Sequence, residues 1–358
     1  MKKAISLILA LIVILSLVAC GSQKSTEQKT QTTEKTEVTE AAKTEEKTQA
    51  ADTPVVLKLS EQNSESSINA TFWKKVAELV NEYSNGSVTL ELYWSNSLCS
   101  YDIESCIAGM CDMIQMEPTS VSDICSLTSA LSAPFVYTDI EHYSKVMTYG
   151  SGTLNYLNDN LNGTGVRFLG GFNAGNRNIT ANKPIYKPED VKGLKMRILQ
   201  SDIHTALFNT YLQAAGTPMN FSEVPAALMT HTIDGQENPL SVVTTNKLYE
   251  LQDYCILTGH MPTTMGAWIN ENSFNKLSAA QQEALIKAIK DAQTWIHNYI
   301  DEKSAEWTKE CEAGGMQFIG VEQGLDIDAF RELANKLYQD FAEPWGDMIE
   351  HIKADGAK

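Results

Sequence analysis

Residues 55–92 read VVLKLSEQNSESSINATFWKKVAELVNEYSNGSVTLEL, and this stretch decides the fold. The apolar run at 55–59 predicts a strand, and apolar residues alternate with polar ones at 88–92, which predicts a second strand. Between them, apolar residues recur at the spacing of one helix face from Phe72 to Tyr83. A strand–helix–strand order predicts parallel strands with helices packed on the faces of the sheet. We therefore expect an α/β fold.

The rest of the chain repeats these elements. Further strands are predicted at residues 112–116, 165–170, 194–199 and 254–257, with amphipathic helices between them. Ser278 and Gln281 fit a helix-capping box, and an apolar stripe continues from there toward Cys311. A helix of about 30 residues would be roughly 45 Å long, which is more than one domain needs. We expect this C-terminal helix to span two domains.

The N-terminal segment looks like a targeting sequence. Two lysines precede an apolar run at residues 5–18, which has the length of a signal peptide and is too short for a membrane span. The run ends in LVACG at residues 17–21, which resembles a bacterial lipobox, so we expect residues 1–19 to be removed and Cys20 to carry lipid. An ordinary signal peptide with an incidental cysteine is the alternative. Residues 20–53 are polar and lack aromatic side chains, which predicts a disordered tether.

Composition and motifs exclude several classes of function. The formal net charge of −17 disfavours a nucleic-acid partner, because binding phosphates requires clustered Lys and Arg. No H-E-x-x-H, G-x-S-x-G or phosphate-loop motif occurs, so we expect no enzyme activity, no metal and no cofactor. The cysteines other than Cys20 show no C-x-x-C spacing, which leaves buried thiols or a disulfide among the first four. They are Cys99, Cys106, Cys111, Cys125, Cys255 and Cys311.

Two arginines have unusual positions. Strand alternation at 194–199 places Met196 and Ile198 on one face and Arg197 on the other. Arg177 lies in GNRNI at 175–179, where glycine and asparagine predict a turn that enters a strand. A guanidinium matches a carboxylate with two parallel hydrogen bonds, which lysine cannot do. Spacing alone does not separate this role from an ordinary surface ion pair.

Five blocks of sequence carry a family resemblance. They are GMCDM at 109–113, SAPFV at 132–136, VKGLKMR at 191–197, PMNFSEVPAAL at 218–228 and IDGQENP at 233–239. In this order they resemble the DctP-type solute receptors of TRAP (tripartite ATP-independent periplasmic) transporters. The resemblance covers roughly residues 55–345.

The resemblance implies a set of ligand-binding residues. Arg197 falls on the family's strand arginine, which forms the salt bridge to the ligand carboxylate, and Asn238 falls on an asparagine that assists it. Glu117 falls on a polar position of the opposite wall. The full implied set is Arg197, Asn238, Arg177, Phe221, Glu117 and Gln62.

The implied architecture is a two-lobed, periplasmic-binding-protein-like fold with a hinge, and the long C-terminal helix braces both lobes. Lobe I would hold residues 54–174 plus 264–303, and lobe II would hold residues 175–263 plus 304–358. The ligand is enclosed between them.

The implied function is that of an extracytoplasmic, lipid-anchored receptor. It would bind a small organic acid as a monomer and deliver it to TRAP membrane subunits. The alternatives are a similar receptor for a sensor or an ATP-driven importer, and a surface lipoprotein hydrolase that acts on acidic sugars. Glu117 suggests a hydroxylated sugar acid, while dicarboxylates, keto acids and aromatic acids stay open.

Overall fold

The computed structural model describes residues 52–357, within one compact unit, Ala50–Lys358. The predicted signal peptide, Cys20 and nearly all of the predicted tether lie outside the described residues. The strands are β1 Val55–Ser60, β2 Val88–Tyr93, β3 Met113–Met116, β4 Val166–Ala181, β5 Lys195–Ile198, β6 Ala215–Pro218, β7 Gly235–Asn238, β8 Tyr254–Asn270 and β9 Gln317–Ile319. The α-helices are α1 Ile68–Tyr83, α2 Ile103–Ile107, α3 Ile140–Val146, α4 Gly152–Leu161, α5 Asp202–Thr205, α6 Val224–Met229, α7 Leu240–Thr245, α8 Glu271–Asn275, α9 Ala279–Ala313, α10 Ile327–Asp340, α11 Ala342–Trp345 and α12 Met348–Gly356.

The strands of this region form one mixed sheet in the order β2-β1-β3-β8-β4-β7-β5-β6, and β9 pairs with β8. At one end β1 is parallel to β2 and β3, and at the other end β5 is parallel to β6 and β7. In the middle, β8 is antiparallel to β3 and β4, and β4 is antiparallel to β7. The α/β class is confirmed, whereas the expected parallel pairing holds only toward the two ends.

Two long strands join the two ends of the sheet. β4 and β8 pair along most of their length, with register shifts that include one between Asn173 and Asn176. β8 pairs with β3 only at residues 266–269, and β4 pairs with β7 only at residues 178–181. Between these points the two strands pair only with each other, and we call this stretch, residues 172–177 and 261–265, the ribbon.

The ribbon corrects one expectation from the sequence. The segment around Gly175 is a bulged part of β4 and not a turn that precedes a strand. Gly175 has a φ of +120°, and a Cβ there would lie 2.9 Å from the Pro239 side chain. Glycine is needed because this backbone conformation and this close approach both disfavour a side chain.

The predicted C-terminal helix is confirmed as α9. Its 35 residues would extend about 52 Å. The capping box is present, because the Ser278 hydroxyl accepts from Gln281 N and the Gln281 side chain accepts from Ser278 N. The helix contacts α1 and β4 first, and α7 and β9 further along. It therefore braces both ends of the sheet.

The last helix differs from the expected lobe assignment. α12 packs against α3 and α4, which the sequence analysis places in lobe I. Asp355 accepts hydrogen bonds from Thr153 N and Oγ1 at 2.8 and 2.7 Å, and Ile352 O bonds His142 Nε2 at 2.8 Å. The apolar side chains of Met348 and Ile352 are fully buried in this contact region. The C-terminus therefore lies with lobe I helices and not with lobe II.

The six cysteines in the described part of the chain are free, and all except the partly exposed Cys125 are buried. Among residues 52–357, no helix combines the length and apolarity needed to cross a bilayer.

Candidate functional site

The buried centre of the site is an ion pair between neighbouring strands. Arg177 on β4 and Glu237 on β7 are 3% and 0% exposed. The Arg177 Nε and Nη2 groups donate to the two carboxylate oxygens of Glu237, and Nη2 also donates to Glu237 O at 2.7 Å. Asn238 Oδ1 accepts from the same nitrogen at 3.2 Å. Arg177 Nη1 donates to no group among the described residues, so it can still donate to a ligand.

This pair controls the charge of Glu237. Burial by itself would raise the pKa of the Glu237 carboxyl, but Arg177 and His260 outweigh it and hold that pKa well below its usual range. Glu237 is therefore ionised at neutral pH and neutralises Arg177.

Arg197 on β5 has a different environment. It is 3% exposed, its Nε donates to Met219 O at 2.9 Å, and its guanidinium carbon lies 5.8 Å from the centre of the Phe221 ring. Burial lowers the pKa of Arg197 to about 10, so the guanidinium stays protonated at neutral pH. In the described region, no carboxylate lies within ion-pair distance of it. Arg197 is thus a buried cation without an anionic partner in the part of the chain that the structure describes.

The other arginines show how unusual this is. The sequence contains four arginines, all within the described residues. Arg167 pairs with Glu271, Arg177 with Glu237, and Arg331 with Asp328. Arg197 is the one arginine that forms no ion pair within residues 52–357.

Glu117 approaches the arginines from the other end of the sheet. It follows β3, is partly buried, and its backbone N donates to Tyr101 Oη at 3.3 Å. Burial raises the pKa of its carboxyl, although the charges of Arg177 and Arg197 act in the opposite direction. The structure therefore brings Glu117 close enough to both arginines for their charges to act on it.

Five of the six predicted ligand-binding residues belong to this cluster, and Gln62 does not. Gln62 is exposed, whereas Glu61 beside it is fully buried. The Glu61 carboxylate accepts from Asn63 and Gln115, and burial raises its pKa. The structure thus gives Gln62 no place in the arginine cluster.

Sequence reasoning missed three members of the site. Glu237 is part of the IDGQENP block but was not among the predicted ligand-binding residues, and its carboxylate is occupied by Arg177. His204 and His260 are 2% and 3% exposed, and His260 Nε2 lies 3.4 Å from Glu237 Oε2. Burial lowers the pKa of His204 to about 3, so this histidine is neutral at pH 7. The sequence offered no signal for Glu237, because GQEN is a strand buried at every position that contains no apolar side chain.

The described residues contain no group of three or more His, Cys, Asp or Glu side chains arranged to hold a metal ion. The interactions that the site does show are hydrogen bonds and charge pairing around Arg177 and Arg197.

The chain is similar to a family of known proteins. Residues 59–344 match the model of the bacterial extracellular solute-binding proteins of family 7, DctP. The chain is 28% identical over 306 residues to the sialic acid-binding periplasmic protein of Vibrio cholerae, covering 84% of this chain and 92% of that protein. It is 27% identical over 310 residues to the C4-dicarboxylate-binding periplasmic protein of Rhodobacter capsulatus, with coverages of 85% and 92%.

A solved structure agrees with these relatives. A TRAP periplasmic solute-binding protein from Roseobacter denitrificans with bound L-galactonate aligns with a TM-score of 0.70 at 26% identity, covering 85% of this chain and 99% of that one. The family match spans well over half of the chain, and the fold agrees with that of a two-lobed receptor. The chain therefore belongs to the DctP family of bacterial extracellular solute-binding proteins, the solute receptors of TRAP transporters.

Proposed function

We propose that this receptor binds a hydroxylated monocarboxylic acid and that Arg197 anchors its carboxylate. The observation that carries the proposal is the buried, protonated guanidinium of Arg197, which lacks a carboxylate partner among residues 52–357. Burying a cation without a counter-charge costs several kcal/mol, and a ligand carboxylate removes that cost. Asn238 and Arg177 Nη1 support the anchor, and Phe221 packs beside it.

The charge balance favours one ligand carboxylate over two. Arg177 is neutralised by Glu237, so Arg197 is the remaining positive charge of the cluster. A second ligand carboxylate would share the enclosed space with Glu117, and like charges repel strongly where water is excluded. Glu117 instead accepts hydrogen bonds from ligand hydroxyl groups when it is ionised.

The relatives support this class of ligand without fixing it. Sialic acid and L-galactonate, named for two of them, are hydroxylated monocarboxylates. The relative named for C4-dicarboxylates represents the competing class. A thermal-shift panel of aldonates and uronates against succinate, malate and fumarate distinguishes the two. We expect the largest stabilisation from a hydroxylated monocarboxylate, and the proposal fails if only dicarboxylates stabilise the protein.

Calorimetry on Arg197 variants tests the anchor. Losing one partner of a buried charge pair costs about 2–5 kcal/mol. At about 1.4 kcal/mol per factor of ten, Arg197→Ala should weaken binding by roughly 30- to 4000-fold. Arg197→Lys should recover part of this loss, because it keeps the charge but not the planar fork.

The matched control is Arg331→Ala. Arg331 is exposed and pairs with Asp328 on its own helix, so acid binding should be unchanged. All variants must keep the melting temperature of the ligand-free wild type. If Arg197→Ala binds the cognate acid within threefold of wild type, another residue anchors the carboxylate.

Delivery follows from motion between the lobes. Lobe I (residues 54–174 plus 264–303, with α12 packed on it) carries Glu117, and lobe II carries Arg177 and Arg197. Closure brings them together over the ligand and changes the surface presented to the TRAP membrane subunits. We propose that the protein acts as a monomer, anchored outside the cytoplasm by lipid on Cys20. It performs no chemistry, so incubation with the bound acid should return it unchanged.

A further inference from the structure

A cavity of about 390 Å³ lies between the ribbon and α9. Residues 173–176 and Asn178 of β4 line one side of it, and Pro239, Leu240 and Ser241 line the adjoining wall. α9 lines a further side, and Ile140, Leu257 and Phe318 complete the lining. We call this space the hinge cavity, because it adjoins the part of the sheet where the two ends are joined by two strands alone.

One face of α9 lies over this cavity. Ile300, Ser304, Trp307 and Thr308 line it, and their spacing places them on one side of a helix. All four are partly exposed, and α9 has no fully buried residue between His297 and Cys311. Between His297 and Cys311, α9 therefore borders the hinge cavity and contributes no fully buried side chain to a hydrophobic core.

The cavity wall is continuous with the ligand clamp. Pro239 directly follows Asn238, and Gly175 lies two residues before Arg177. Gly175 and Pro239 are in close contact, because a Cβ on the glycine would lie 2.9 Å from the proline ring. A molecule in the cavity would press on the backbone segments that hold Asn238 and Arg177.

A buried hydrogen bond attaches α9 to the ribbon beside the cavity. Asn173 N donates to His297 Nε2 at 3.0 Å. Burial lowers the pKa of His297 to about 4, so the nitrogen remains an acceptor at neutral pH. The helix and the ribbon therefore move together at this point, and the cavity begins directly after it.

The walls define the chemistry of an occupant. The volume falls within the range of about 300–1,000 Å³ that is typical of small-molecule sites. Leu240, Ile300 and Trp307 offer apolar surface, and Asn176 and Ser304 offer hydrogen-bonding groups. No lysine or arginine contributes to these walls, whereas the carboxylate-bearing Asp301 does. An anion is therefore disfavoured here, in contrast to the arginine clamp.

We infer that the hinge cavity is a second ligand site, which takes a small, uncharged or singly cationic molecule with an apolar ring, and that its occupant strengthens acid binding. The cavity exists in the conformation in which Glu117 and the two arginines act on one another. A molecule that fills the cavity stabilises this conformation, and the bound acid stabilises the same conformation. Each ligand therefore increases the population that binds the other. The coupling, but not the second site itself, rests on the proposed function.

Methyl NMR tests the site with indole and tryptamine as probes. Both should shift the methyl resonances of Leu240, Leu257 and Ile300 in wild-type protein. Indole-3-acetate, added after the clamp is saturated with acid, should not. Unshifted methyl groups with all three probes would overturn the site, and so would an equal response to the anionic probe.

A pair of variants localises the effect. Ser304→Phe fills the cavity from α9 and should abolish the shifts, whereas Ala305→Phe, on an exposed position one residue later, should leave them intact. If the wild-type shifts survive in a folded Ser304→Phe protein, the probes bind elsewhere and the assignment is wrong.

Calorimetry tests the coupling. Acid affinity measured with saturating tryptamine should be at least threefold higher than without it, and this difference should vanish in Ser304→Phe. An unchanged or weaker affinity overturns the coupling while the methyl shifts still support the site. If wild-type protein binds no acid at all, the proposed function and the coupling fail together.

Discussion

Replacing Glu237 with glutamine tests the buried ion pair at the centre of the site. The substitution keeps the shape of the side chain and removes the charge that neutralises Arg177. Arg177 would still donate hydrogen bonds to Glu237 O and Asn238 Oδ1, because the substitution alters neither of these acceptor atoms. Its charge would be left uncompensated at a position 3% exposed.

The expected loss of stability is large. Removing one partner of a buried ion pair costs about 3–5 kcal/mol. For a domain of this size, each kcal/mol lowers the melting temperature by roughly 2 °C, so we expect a decrease of roughly 6–10 °C at neutral pH. Replacing both residues, as Arg177→Leu with Glu237→Leu, should recover much of this loss, since an apolar pair leaves no unpaired charge.

The effect should depend on pH in a defined direction. The pKa of Glu237 in the folded protein lies well below its ordinary value of 4.5. A depressed carboxyl pKa contributes stability that is complete above the unfolded-state pKa and is lost as the pH falls toward the folded-state pKa. The gap between the melting temperatures of wild type and Glu237→Gln should therefore be widest at neutral pH and narrow below about pH 4.

Glu271→Gln is the matched control for this measurement. Glu271 also pairs bidentately with an arginine, Arg167, but the two side chains are 31% and 28% exposed. Pairs of this exposure contribute about 1 kcal/mol or less, so its melting temperature should fall by roughly 2 °C or less. Differential scanning calorimetry at several pH values gives both results. If Glu237→Gln is no more destabilising than Glu271→Gln, the Arg177–Glu237 ion pair does not stabilise the fold as its burial implies.

Three further predictions concern the ligand, the motion and the anchor. Glu117→Gln should weaken binding of the cognate hydroxylated acid by roughly tenfold or more in calorimetry, because a hydrogen bond to a charged acceptor is lost. Burial raises the pKa of the Glu117 carboxyl, so lowering the pH within the range where fumarate stays doubly ionised should protonate Glu117, relieve a repulsion and strengthen fumarate binding to wild type but not to the variant. Saturating acid should reduce the radius of gyration in small-angle scattering, and an unchanged radius alongside calorimetric binding would contradict lobe closure. Fatty-acid labelling in cells should place lipid on the wild type and none on Cys20→Ala, and an unlabelled wild type would exclude the anchor.

Local patterns in the sequence predicted the parts of the fold that depend on local interactions. The β1-α1-β2 unit, the capping box at Ser278 and the length of α9 were all visible as periodicity or cap chemistry. These features need only residues a few positions apart. They could therefore be predicted from the sequence alone.

The full length of the central strands β4 and β8 could not be predicted from local patterns. The sequence predicted residues 165–170 and 254–257, whereas β4 and β8 extend to 181 and 270. Glycines at 170, 171, 175, 259 and 266 interrupt the apolar pattern, and most positions are buried on both faces, so polar and apolar residues do not alternate. The partners of these strands decide their length, and those partners are distant in sequence.

The choice between the two arginines also depends on distant pairing. Arg177 and Arg197 lie on the two strands that flank β7, and each follows a pattern that fits a ligand-binding residue. β7 pairs with β4 so that Ile179 faces Glu237, whereas it meets β5 at Gly235, two residues earlier. This register brings the Glu237 carboxylate to Arg177 and leaves Arg197 with no paired carboxylate among the described residues.

A shift of β7 by one residue would turn its side chains to the opposite faces of the sheet. Gln236 would then occupy the place of Glu237, and Arg177 would lose its counter-charge. The availability of Arg197 for a ligand is therefore a consequence of strand register, because the register decides which of two similar arginines the protein neutralises. Residues that fix this register contribute to ligand binding without touching the ligand. Gly235 is one of them, because a Cβ at this position would collide with Thr180 O on β4.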